Sequence, residues 1–175
     1  MELRAPSSTR DPHLARLRSG PAQEQLDGGG GPEKPETDLL TIAGRVDDLA
    51  YDKQHKRLFA SPGTGGIWMS EAKNGDVRTL GDYWVSIGDN LPYQANGGVI
   101  WTSGGGGTVI SAGGDSVMST GAYDGIGAYW SNDLGVSWHR AEGFPDEANV
   151  FNTEADPGNP NIVYIASSKG LYRSE

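Results

Sequence analysis

The stretch Ser131-Asn132-Asp133-Leu134-Gly135-Val136-Ser137-Trp138 (SNDLGVSW) decides how the rest of the chain reads. It has the form S-x-D-x-G-x-x-W, with a β-rich run on either side (AYWS before it, VSWHR returning from it). A short polar segment with one glycine between two such runs predicts a tight hairpin turn. The Ser131 hydroxyl and the Asp133 carboxylate are suited to accept hydrogen bonds from backbone N–H groups that the turn leaves unpaired. Gly135 permits positive φ without a Cβ penalty, and Trp138 returns as a large anchor for a core. A carboxylate locked by its own turn has little freedom to react. Asp133 therefore reads as structural, neither catalytic nor a metal ligand.

The same texture extends in both directions. Runs such as GRVDDLAYD (44–52), RLFA (57–60), IWMS (67–70), WVSI (84–87), VIWT (99–102), TVIS (108–111), IVYIA (162–166) and LYRS (171–174) alternate with glycine, aspartate and asparagine. No window holds a sustained helical period, so the body is expected to be all-β. It is also repetitive. LFASPGTGGIWMSE (58–71), TVISAGGDSVMSTGAYDGIGAYWSND (108–133) and IVYIASSKGLYRSE (162–175) each run from a β segment through a small-residue loop and a glycine to an aromatic pattern ending in serine. The anchoring glycines are Gly66, Gly127 and Gly170, 61 and 43 residues apart. Insertions at 72–82 and 114–126 explain the wider spacing. Four short antiparallel strands per unit predict a partial β-propeller, with blades at about 44–92, 97–145 and an incomplete 150–175.

Composition divides the chain near residue 38. Residues 1–38 carry Pro6, Pro12, Pro21, Pro32, Pro35, the run Gly28–Gly31 and no aromatic residue, and read as a disordered leader or linker. All five tryptophans and all seven tyrosines lie in the body, 39–175. A net charge of −9 argues against general nucleic-acid binding, which needs clustered Lys and Arg. Apolar runs are too short for a membrane-spanning helix, and the absence of cysteine excludes disulfides. The three histidines lack metal-ligand spacing, so neither metal nor other cofactor is expected. Gly104–Gly107 is not followed by the Lys-Ser/Thr of a phosphate loop and reads as a turn between strands. Asp47 and Asp48 are strand neighbours whose side chains point to opposite faces, so they cannot share one acid–base site.

SNDLGVSW resembles the Asp-box, or BNR repeat, of sialidases, xyloglucanase-type glycoside hydrolases and sortilin-type receptor propellers. The wider frame fits as well: GRVDDLAYD, GGIWMSE, GDNLP, ADPGNPNIVYIAS and GLYRSE, together covering about 44–175. In that group the box joins the third and fourth strands of a blade, on the side away from the ligand face. The resemblance thus implies a structural turn made by Ser131, Asp133, Gly135 and Trp138. It implies a glycosyl-hydrolase-like protein that binds glycan or polysaccharide, and an extracellular or periplasmic location, although no apolar secretory core of ~7–15 residues is present. A sialidase would need an arginine triad and an Arg-Ile-Pro signature, and the body lacks that signature. A xyloglucanase-type enzyme needs two carboxylates across a cleft, and the position matching one of them is Gly63. No catalytic residue is therefore assigned. The alternative is a non-catalytic interaction propeller of the sortilin or assembly-factor kind.

On this map the ligand-face loops are about 61–66, 89–98, 112–127, 142–149 and 167–169. The longest carries Asp115, Tyr123 and Asp124, with Tyr93 on a neighbouring loop. Aromatic faces beside carboxylates suit sugar recognition, because the ring stacks and the carboxylate accepts hydroxyl hydrogen bonds. Two and a half blades cannot close a ring. Further blades from a longer chain, or self-association, are expected to cover the open faces.

Overall fold

Short runs of β-branched and aromatic residues punctuated by glycine and Asp/Asn turns leave the backbone few options other than antiparallel hairpins. The computed structural model describes residues 45–114 and 123–174. The leader 1–38 and the site candidate Asp115 lie outside the described residues. The first sheet is a meander of β1 (Val46–Asp52), β2 (Arg57–Pro62), β3 (Trp68–Glu71) and β4 (Val85–Ser86), each strand paired with the next. The second is β5 (Asn96–Thr102), β6 (Thr108–Gly113), β8 (Ala128–Ser131) and β9 (His139–Arg140), in that order. The third holds β11 (Val150–Ala155), β12 (Val163–Ser167) and β13 (Gly170–Arg173). A two-stranded clip pairs β7 (Gly125–Ile126) with β10 (Asp146–Ala148). The body is all-β, with four-stranded antiparallel sheets, and no α-helix occurs among the described residues. No helix there is long and apolar enough to cross a membrane.

The repeat is visible in the backbone register. In each sheet the first strand breaks register at the same place: between Val46 and Asp48, between Asn96 and Gly98, and between Val150 and Asn152. The bulge brings Leu49, Val99 and Thr153 into equivalent positions. An oxygen at the end of each first strand, or one residue past it, then closes the following turn. The Asp52 carboxylate accepts from the Gln54 and His55 N–H groups (3.0 and 3.1 Å). The Thr102 hydroxyl accepts from the Gly104 N–H at 3.2 Å, and the Asp156 carboxylate from Gly158 and Asn159 at 2.8 and 3.0 Å. The prolines of the 156–161 turn fit because the carboxylate and the Asn159 side chain, not a strand ladder, take up the neighbouring N–H groups.

Two apolar layers hold the sheets together. Phe59, Ile67, Ile87 and Leu91 of the first unit pack with Val99 and Val109 of the second, and the Trp101 ring stacks on Phe59 at 5.4 Å. Ile100, Ala112, Ala128 and Phe144 of the second unit pack with Val150, Val163 and Ile165 of the third. The second sheet is therefore covered on both faces. This explains why β5 is buried almost throughout while β1 alternates.

At the seam between the sheets the three first strands meet. Asp48 Oδ2 accepts the Val99 N–H at 3.0 Å and the Thr153 hydroxyl at 2.6 Å. The Thr153 oxygen also lies 3.2 Å from the Val99 carbonyl, but its single proton goes to the nearer, charged acceptor. Asp47, in the bulge, turns the other way and pairs with Arg45. The two adjacent carboxylates thus part. Removing the Asp48 carboxylate strands the Val99 amide in a 2% exposed residue. Asp48→Ala is expected to cost about 2–3 kcal/mol of unfolding free energy, and Thr153→Ala about 1 kcal/mol. The double variant should cost less than the sum, as measured by urea unfolding of all three.

Candidate functional site

Two ends of the sheets carry the candidate residues. At one end lies the turn between β8 and β9. Ser131 is fully buried, and its hydroxyl accepts the Gly135 N–H at 2.8 Å while donating to Asp133 Oδ1 at 2.7 Å. The Asp133 carboxylate also takes the Ser137 N–H (2.9 Å) and the Ser137 hydroxyl (2.6 Å). With the Ser137 hydroxyl as the largest cause, then the Ser137 amide and the Ser131 hydroxyl, these donors hold the Asp133 pKa down at about 2. A carboxylate surrounded in this way is a poor base and a poor nucleophile.

Leu134 and Gly135 both adopt left-handed conformations, with φ of 56° and 87°. This pair folds the turn onto the first sheet. Trp138 Nε1 donates to the Ile87 carbonyl at 3.1 Å, and Asn90 Nδ2 donates to the Val136 carbonyl at 3.1 Å. A Cβ on Gly135 would overlap the Ile87 carbonyl oxygen. The turn is thus an inter-sheet clasp as well as a hairpin, a role that the sequence pattern does not display.

The first sheet contains a stretched version of the same device. Ser70 is buried, and its hydroxyl accepts the Gly81 N–H at 2.8 Å; Gly81 has φ of 89°. Trp84 follows Gly81 by three residues, as Trp138 follows Gly135. Between Ser70 and Gly81 the chain makes two 3-10 turns, Lys73–Gly75 and Val77–Thr79, and the Asp76 carboxylate accepts the Arg78 N–H at 3.1 Å. A Cβ on Gly81 would meet nothing within 4 Å.

The other end holds the loops. The Gln94 carbonyl accepts both the Gly65 and the Gly66 N–H (2.9 and 3.1 Å), and the Gln94 side chain donates to the Gly88 carbonyl at 3.1 Å. Tyr93 is half-buried. Its ring lies against Tyr129 at 5.5 Å and its hydroxyl donates to the Gly127 carbonyl at 3.2 Å; burial pushes its ionisation up. Tyr93 therefore braces the foot of the 112–127 loop. That foot is tight: a Cβ on Gly125 would overlap the Gly113–Gly114 backbone, the Gly113 N–H bonds the Gly127 carbonyl at 3.0 Å, and β7 clips onto β10. Tyr123 and Asp124 follow on this base and are exposed, Tyr123 at 62%. A Cβ on Gly63 would come within 3.0 Å of the Asp47 carboxylate, which is already held by Arg45. His139 is exposed and lies against Trp130, with ring centroids 4.6 Å apart. Among the described residues no group of three or more His, Asp or Glu side chains is arranged to hold a metal ion.

Sequence reasoning found the turn between β8 and β9 but missed the Gln94 brace and the β7–β10 clip. Two-residue strands and carbonyl acceptors leave no compositional trace.

Gly135→Ala and Gly81→Ala separate the turn's own conformation from its contact with the neighbouring sheet. Left-handed strain alone is expected to cost about 1–2 kcal/mol at Gly81. Overlap with Ile87 should at least double the loss at Gly135, read as the difference between two denaturation midpoints. Because the Asp133 pKa is lowered in the folded state, its contribution is present above the ordinary carboxylate range and is lost as pH falls toward 2. Thermal melts at pH 5, 4, 3 and 2 should show a smaller acid-induced drop for Asp133→Asn than for the native chain. No family model matches the chain, and no curated protein matches it significantly.

Proposed function

We propose that the chain is a segment of an Asp-box β-propeller, each meander forming one blade, and that its loop end binds carbohydrate. The observation that carries this reading is the Ser131–Asp133–Gly135–Trp138 turn. It joins the third and fourth strands of a repeated sheet, and its carboxylate is saturated by hydroxyl and amide donors. The S-x-D-x-G-x-x-W pattern, the shared first-strand bulge and the Ser70–Gly81 counterpart support the blade assignment. At the opposite end, Tyr123 offers an exposed ring and Asp124 an exposed acceptor on a braced loop. Neutral sugars are recognised by this combination of stacking and hydroxyl-accepting carboxylates.

A second reading, a non-catalytic interaction scaffold, is favoured by one observation. At the position where the xyloglucanase-type pattern has a catalytic carboxylate the chain has Gly63, and the nearby Asp47 is ion-paired to Arg45. A glycan array followed by calorimetry on any hit decides between the two. Carbohydrate binding predicts a saturable signal that falls at least tenfold in the Tyr123→Ala/Asp124→Ala double variant, a loss of about 1.4 kcal/mol. A signal that the double variant leaves unchanged removes this site. A blank array favours the scaffold.

A further inference from the structure

The chain contains two Asn-Gly steps, Asn74-Gly75 and Asn96-Gly97. Such a step is the least hindered setting for attack of a backbone nitrogen on the side-chain amide before it, because glycine brings no Cβ to block the approach. Every other asparagine in the chain is followed by a residue with a side chain.

The fold treats the two steps in opposite ways. Asn96 is fully buried in β5, where its Oδ1 accepts the Ser111 hydroxyl at 2.7 Å and its Nδ2 donates to the Gln94 carbonyl at 3.3 Å. Gly97 is buried beside it, close against the Gly114 and Val150 carbonyls. The amide of Asn96 cannot turn toward the Gly97 nitrogen unless the strand opens. Asn74 and Gly75, by contrast, are both exposed, in the first 3-10 turn of the stretched loop between Ser70 and Gly81. Both hold left-handed backbone, with φ of 53° and 74°, a region that asparagine tolerates better than most residues. Among the described residues the Asn74 side-chain amide has no hydrogen-bond partner. Two bonds at the surface hold Gly75: its N–H donates to the Ala72 carbonyl at 3.2 Å, and Lys56 Nζ donates to its carbonyl at 2.7 Å.

We propose that Asn74-Gly75 is a site of spontaneous deamidation and isoaspartate formation, and that the fold silences the same chemistry at Asn96-Gly97. The Asn74 backbone rotates and the Gly75 nitrogen releases the Ala72 carbonyl. That nitrogen loses its proton to solvent and forms a bond to Asn74 Cγ. The bond from Cγ to Nδ2 breaks, and Nδ2 takes up a proton from solvent and leaves as ammonia. The product is a cyclic imide. Water then adds to one of its two carbonyls and breaks that carbonyl's bond to the ring nitrogen. One cleavage gives aspartate at 74. The other gives isoaspartate, in which the backbone runs through the former side chain. Net, an amide and water become an acid and ammonia, with no oxidant or reductant. Either product adds a negative charge to the loop that Lys56 staples, and isoaspartate also lengthens its backbone. The Ser70–Gly81 bond of 2.8 Å closes the loop at its base, so the change stays outside the sheet. The inference stands on the contrast between two identical dipeptides and is independent of the carbohydrate reading.

Peptide mapping by mass spectrometry tests this on the whole protein, incubated warm in mildly alkaline buffer, with a parallel sample unfolded in urea. In the folded sample the peptide carrying residue 74 should show the mass shift of an amide exchanged for an acid, divided between aspartate and isoaspartate forms. It should convert about tenfold faster or more than the peptide carrying residue 96, because a buried step reacts only when its strand opens. In urea the two steps should convert at similar rates. Asn74→Gln, a change at an exposed turn, should remove the signal at 74 and leave that at 96 unchanged. Conversion of Asn96 as fast as Asn74 in the folded protein overturns the proposal, as does a rate gap that persists in urea. So does an Asn74 that reacts in urea but stays intact in the fold, since the turn would then protect it. Aspartate without isoaspartate excludes the imide, and no conversion in either sample excludes the site.

Discussion

The carboxylate of Asp48 is the point on which the sheets converge. It bonds an amide 51 residues away and a hydroxyl 105 residues away, and so fixes the first strands of all three sheets in one arrangement. Hydrophobic layers alone would let the sheets slide, because apolar contact has no direction. A charged acceptor half-buried at the seam tolerates only geometries that bring both donors to it. The adjacent bulge makes this possible: it sends Asp47 to Arg45 and frees Asp48 to face the next sheet.

Farther from the seam a second clasp does equivalent work. The turn after β8 returns Trp138 to the Ile87 carbonyl, and Gly135 lets the two backbones touch. Near the seam the sheets are registered by a carboxylate, and at this turn by an indole. Both clasps sit on the sheet that follows or precedes its partner in sequence, so each unit is completed by its neighbour. That dependence is expected of repeat architectures, in which one unit cannot cover both of its own faces. The first sheet illustrates the exposed case: Leu49 and Tyr51, the counterparts of Val99 and Trp101, remain 57% and 45% accessible.

Much of the strand pattern was legible because it depends on local chemistry. Alternating or continuous β-branched and aromatic runs marked ten strands, within two or three residues at most ends. The turn chemistry at 131–138 and at 156–161 was legible for the same reason, since a serine, an aspartate and a glycine at fixed offsets satisfy the backbone locally. The β7–β10 clip was not, because a two-residue strand next to glycines has no periodicity. Nor was the role of Tyr93. An aromatic residue on a loop looks available for stacking until the Gly127 carbonyl is found above its hydroxyl. Tyr123 and Asp124, which the sequence places on a loop as candidates for sugar contact, are exposed.

The amino-acid order by itself determined an all-β body, the hairpin turns and a repeating unit, because these follow from neighbours along the chain. Only the tertiary structure decided which carboxylate would bind which strand and which glycine would touch a neighbouring sheet. Those outcomes depend on groups 51 to 105 residues apart, and no local pattern encodes the direction in which a sheet turns its face.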